Sequence, residues 1–192
     1  ARSRGLGDVY KRQVPGGFGD RGFEGKISAI QYARENNVPF FGICLGLQMA
    51  IIEYARSVCR IKDANTRESN KKTKNYLIDI MKNQKNIKEK GGTMRLGKYP
   101  CNLKKSFKAY TAYKKIKISE RHRHRYEVNP SFHLKLKQNG LILSGLSPDG
   151  KLVEIIELKK HKWFLACQFH PEFKSKPFSS CLLYTSDAAD DP

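Results

Sequence analysis

The residues best suited to chemistry in this chain of 192 residues are one cysteine and one histidine–carboxylate pair. Cys44 stands within Gly42-Ile43-Cys44-Leu45-Gly46, and His170-Pro171-Glu172 lies near the other end. A thiol becomes a nucleophile when a base takes its proton, and imidazole serves as that base when a carboxylate orients it. These types support acyl transfer, with Cys44 as nucleophile, His170 as general base and then general acid, and Glu172 as orienter. Glycines on both sides of Cys44 permit a sharp turn that holds the thiol out. A helix starting at that turn would stabilise a thiolate or an oxyanion. A lone cysteine more often behaves as a small buried apolar residue, and the flanking glycines are what argue against that here.

The surrounding pattern says which elements carry these groups. Val38-Pro39-Phe40-Phe41 is a short apolar run of strand formers, and residues 47–55 carry apolar side chains at helical spacing. Cys44 therefore falls between a buried strand and a helix. Residues 24–37 predict a helix through Ile27, Ile30, Tyr32 and Ala33, and residues 163–169 predict a strand that delivers His170. Both reactive groups then sit at strand C-terminal ends, where open α/β sheets place their sites. Alternation of helix and strand predicts a parallel sheet with helices on its faces. On an extended chain, positions 170 and 172 share one side.

The remaining pattern predicts loop at 63–75, strand at 76–81 and an exposed polar connection at 83–90. Short strands are expected at 94–96, 98–103 and 109–113, followed by the charge-dense stretch 120–127. A short helix is expected at 132–139. Strands at 141–145 and 152–158 flank a turn at Ser147-Pro148-Asp149-Gly150.

Two further motifs admit sharper readings. Gly17, Gly19 and Gly22 spell G-x-G-x-x-G, but a dinucleotide site also needs a preceding apolar strand and a ribose-binding acid. The Gly17 N–H is better used beside that of Leu45, as an oxyanion hole. His122 and His124 share one strand face, yet no further Cys/His cluster completes a metal site. Among the neighbouring arginines, bidentate recognition of a carboxylate is the better expectation.

Composition bounds the class. One domain with a real core fits this length. The formal charge is +19, from 37 Lys and Arg against 18 Asp and Glu. The lysines are dispersed over 71–90, 98–117 and 159–176 without interleaved aromatics. That pattern predicts a solvated basic surface and no dedicated nucleic-acid partner. A nucleic-acid-binding module would instead show steeply salt-dependent binding to DNA or RNA. No apolar run approaches the ~20 residues of a membrane span, and no export signal opens the chain. Five scattered cysteines without a C-x-x-C pair suit a reducing, cytoplasmic setting. Residues 1–13 and 180–192 lack periodicity and resemble adapter-derived sequence, which places the domain at 14–179 with native chain expected before it.

The segments VPGGFGDRGFEG, ARENNVPFFGICLGLQMAIIEYAR, GGTMRLG, ERHRHRYEVN, LVEIIE and CQFHPEF, in this order, resemble the glutaminase domain of the CTP synthase family, a class I glutamine amidotransferase. The resemblance implies an α/β, flavodoxin-like three-layer domain, here incomplete at its N-terminus. It also implies that Cys44 attacks the side-chain amide of L-glutamine, releasing ammonia and leaving a glutamyl thioester. Gly17, Leu45, Gly46, Leu47 and Gln48 would surround the substrate amide, with Glu68 near the amino group and Arg125 near the carboxylate. Around Glu68 this chain reads Asn65-Thr66-Arg67-Glu68-Ser69, where the family has Asn-Ser-Thr-Glu-Phe.

The same resemblance implies no cofactor in this domain. ATP and magnesium belong to a separate N-terminal synthetase domain that aminates UTP to CTP, GTP is the allosteric activator, and the full-length family is a cytoplasmic homotetramer. Another amidotransferase or a cysteine hydrolase on the same fold is the alternative, because such a triad specifies acyl chemistry better than it specifies the acceptor.

Overall fold

The computed structural model describes residues 13–19, 21–70, 72–80, 94–176 and 181–183. The expected connection at 83–90 and most of both unusual ends lie outside the described residues. The first half contains β1 (Gln13–Val14), α1 (Phe23–Glu35), β2 (Phe40–Ile43), α2 (Leu45–Ser57), β3 (Asn65–Thr66) and β4 (Tyr76–Ile80). It continues with β5 (Arg95–Leu103), α3 (Lys108–Tyr113), β6 (Lys117–His124) and β7 (Tyr126–Val128). A 3-10 turn (Pro130–Phe132) leads into α4 (His133–Gln138), β8 (Ile142–Leu146), β9 (Val153–Glu157), β10 (Phe164–Cys167) and a second 3-10 turn (Pro171–Lys174).

Seven strands form one sheet in the order β1-β2-β10-β9-β8-β5-β6, and β3-β4-β7 form a smaller one. Every residue of β2 and β10 is buried, as expected of apolar strands covered on both faces. Their alternate side chains feed different cores. Phe40, Phe164 and Ala166 join the cluster under α1 and α2, while Phe41, Ile43, Leu165 and Cys167 join the cluster on the side of α3. Helix α1 is amphipathic, burying Phe23, Ile27, Ile30 and Ala33 at helical spacing. Helix α2 is buried from Leu45 to Ala55, which suits a helix enclosed on nearly all sides. Its interior Glu53 is satisfied by Arg34 of α1, whose Nε and Nη2 donate at 2.8–3.0 Å.

The structure departs from the pattern in several places. The sheet is mixed: only β1, β2 and β10 run parallel, and from β10 to β6 every pairing is antiparallel. The expected strands at 94–96 and 98–103 are one strand, because β5 pairs continuously with β6 from Arg95 to Asn102 and Gly97 absorbs a φ of 102° within it. The loop at 63–75 contains the short β3, paired with β4. Residues 109–113, expected as a strand, are helical. Glu157 of β9 accepts from the Lys108 and Ala109 N–H groups at 2.8 and 3.0 Å, satisfying the exposed donors of the first turn of α3.

Candidate active site

Cys44 sits at the turn from β2 into α2 with φ 51° and ψ −99°, a conformation that non-glycine residues seldom adopt. The two glycines around it are required by close approach. A Cβ on Gly42 would lie 2.9 Å from Ala166 Cβ and from the Gly46 carbonyl carbon; one on Gly46 would lie 2.2 Å from Val14 O. The Cys44 N–H donates to Cys167 O at 2.7 Å, tying the turn to the end of β10.

Three residues beyond β10, the His170 N–H donates to Arg121 O of β6 at 2.7 Å, and His170 Nδ1 lies 2.7 Å from Glu172 Oε1. The expected pairing of His170 with Glu172 is present, but not through an extended chain. Pro171 opens a 3-10 turn that brings the carboxylate back to the ring. His170 Nε2 is buried with no hydrogen-bond partner among the described residues. Gly16 lies against both reactive residues: a Cβ there would lie 2.8 Å from His170 Cε1 and 3.5 Å from Cys44 Cβ.

Burial pushes the Cys44 thiol up to about 12, and the nearby Glu172 and Glu127 carboxylates push the same way. The Leu45 N–H and the Gln168 amide, whose Nε2 is 3.7 Å from Sγ, favour the thiolate but do not overcome burial. Burial therefore opposes the thiolate that the start of α2 was expected to favour, while the Leu45 N–H acts in the expected direction.

The thiol opens on a cavity of about 540 Å³. Gly17, Gln48, Glu68 and Arg125 line it with Cys44. Gln48 is fixed by donating to Tyr126 O at 3.2 Å and to Gln168 Oε1 at 3.3 Å, and Glu68 accepts from the Gly19 N–H at 3.0 Å. Arg125 leaves its Nε buried and without a partner among the described residues. The Leu45 and Leu47 side chains and Gly46 lie away from the cavity wall, while the Leu45 N–H faces the Cys44 sulfur. Leu45 packs under Gly17, Gly46 faces Val14, and Leu47 is wholly buried in the core under α2.

Sequence reasoning missed Phe18, Arg67, His124 and Tyr126 in the cavity wall, and Gly16 and Gln168 beside the sulfur. Gly16 and Phe18 adjoin the glycine motif, and Gln168 stands two residues before His170, which were the available signals.

His122 and His124 are buried in a charged cluster. His124 Nε2 is 2.7 Å from Glu127 Oε1, Arg95 bonds Glu127 and Glu154 at 3.2 and 2.7 Å, and His122 Nε2 is 3.6 Å from Glu154 Oε2. Among the described residues, no group of three or more His, Cys, Asp or Glu side chains could hold a metal ion. Nor is any described helix long and apolar enough to cross a membrane.

The glutamine amidotransferase class-I family model matches residues 5–186. The chain belongs to the class I glutamine amidotransferases. Within that family, it is 61% identical over 163 residues to the CTP synthase of Chlorobium phaeobacteroides, covering 85% of this chain and 29% of the relative. It is 59% identical over 172 residues to that of Clostridium acetobutylicum, covering 90% and 32%. Among solved structures, the amidotransferase superposes on the glutaminase domain of Trypanosoma brucei CTPS with bound acivicin. The TM-score is 0.87 at 41% identity, over 93% of this chain and 69% of that one. The chain thus spans about a third or less of the curated CTP synthases it matches.

Proposed function

We propose that this amidotransferase domain hydrolyses L-glutamine through a Cys44 thioester and supplies ammonia for amination of UTP to CTP. The observation that carries the reading is the strained turn at Cys44, with Gly16 against both Cys44 and His170 and a cavity lined by Glu68 and Arg125 opening from the turn. As glutamine binds, His170 Nε2 takes the thiol proton and Sγ attacks the amide carbon. The Leu45 N–H, with that of Gly17, stabilises the oxyanion. His170 returns its proton to the leaving nitrogen, ammonia departs, and a water activated by the same imidazole releases glutamate. Arg125 suits the α-carboxylate as a bidentate donor, and Glu68 suits the α-ammonium. Gln48 borders the reacting amide.

The similarity to CTP synthases supports ammonia transfer to a synthetase domain outside this chain, which would use ATP and magnesium and respond to GTP in a cytoplasmic homotetramer. The reading is tested by incubating full-length protein with amide-labelled glutamine. Cys44→Ala should abolish labelled ammonia and labelled CTP while sparing CTP formation from free ammonia. Glutamine-dependent turnover that survives in Cys44→Ala would reject Cys44 as the nucleophile.

A further inference from the structure

Phe173 lies flat on the imidazole of His170, with ring centroids 4.6 Å apart and planes 8° from parallel. It is 47% exposed and belongs to neither buried cluster, so core packing does not account for its position. The 3-10 turn begun by Pro171 sets it there, with the Phe173 N–H donating to His170 O at 3.2 Å. The imidazole is therefore bounded at Nδ1 by Glu172, at Cε1 by Gly16 and on one face by Phe173. The nitrogen left without a partner among the described residues is Nε2, the one that must meet the thiol.

We propose that Phe173 is a positioning residue for the Cys44–His170 pair, whose ring holds the imidazole in plane and stabilises the imidazolium formed when the thiol proton crosses. This rests on the catalytic roles assigned above. The transfer is balanced: the S–H bond breaks, an Nε2–H bond forms, and a thiolate–imidazolium pair replaces two neutral groups. An aromatic face attracts the cation more strongly than the neutral ring, so Phe173 favours the product of the transfer. The other groups around His170 are the Cys44 thiol at the start of α2, Arg121 and His122 of β6, and Glu172 and Lys174 of the 3-10 turn. The Lys174 ammonium is engaged by Ser119 O and Glu120, and burial holds His122 neutral. Glu172 and Phe173 are thus the two contacts positioned to favour charge on the ring.

The test is the rate of Cys44 alkylation by iodoacetamide across pH 5–9, read by mass spectrometry of the Cys44 peptide, in wild type, Phe173→Leu, Phe173→Tyr and His170→Gln. This readout does not depend on glutamine turnover, and thermal melts confirm folding at the half-exposed position. Phe173→Leu is expected to lower the plateau rate about two- to fivefold. It should also move the acid limb to lower pH by the matching amount, so that the two profiles converge in acid. Phe173→Tyr should keep the wild-type profile. An unchanged Phe173→Leu profile, or a fall by one factor at every pH, overturns the proposal. A plateau unaltered in His170→Gln rejects the His170 assignment itself and is distinguishable from failure at Phe173.

Discussion

Burial raises the Cys44 thiol, because the packing that shapes its surroundings also withholds the water a thiolate needs. In the proposed mechanism His170 takes the thiol proton at the moment of attack, which makes the orientation of that ring decisive. Glu172→Gln keeps an oxygen acceptor near Nδ1 but removes the negative charge that stabilises the imidazolium. It should lower kcat for glutamine hydrolysis by about 10²–10⁴-fold, with KM changed far less. Steady-state ammonia release checks this, and a fall below tenfold would remove Glu172 from the mechanism. The adjacency of His170 and Glu172 was legible because two residues of chain leave little freedom. Gln168 and Gly16 were not, since their relevance depends on β10 and the Gly16 segment converging on Cys44.

The turn between β2 and α2 depends on contact between backbones. A Cβ at Gly46 meets Val14 O, a main-chain atom that cannot rotate away, so Gly46→Ala must displace β1 or the start of α2. Overpacking of this kind costs typically about 1–3 kcal/mol. Gly25 in α1 is the matched control: a Cβ there meets nothing within 4 Å, and Ala should stabilise by about 0.5–1 kcal/mol. Urea unfolding of the two variants should therefore move in opposite directions; equal shifts would refute the steric account. The helix at α3 carries a related lesson. Nothing within residues 108–113 announces it, because the carboxylate that satisfies its first N–H groups arrives from Glu157.

Across the whole molecule, the cluster of Arg95, Glu127, Glu154, His122 and His124 joins β5, β6, β7 and β9 beneath the cavity. Burial raises Glu154 from its ordinary 4.5 to about 7, the Arg95 charge opposing it only in part. The folded chain then holds a proton that the unfolded chain has released, so Glu154 costs stability progressively as pH rises from 4.5 to 7. In Glu154→Gln that cost is absent. The variant should gain stability relative to wild type across this window and stay level outside it, as measured by urea unfolding at each pH. A pH-independent difference would contradict the buried protonation.

The sequence by itself determined the turn at Cys44, the histidine–glutamate pair, the helices flanking β2 and the strand before His170. All of these follow from residue type and local period. Only the tertiary structure decided the direction of the outer strands, the helical state of α3, the burial that raises the Cys44 thiol and the composition of the cavity wall. Strand direction, capping, desolvation and pocket lining depend on groups far apart in the chain, whose meeting no local pattern encodes.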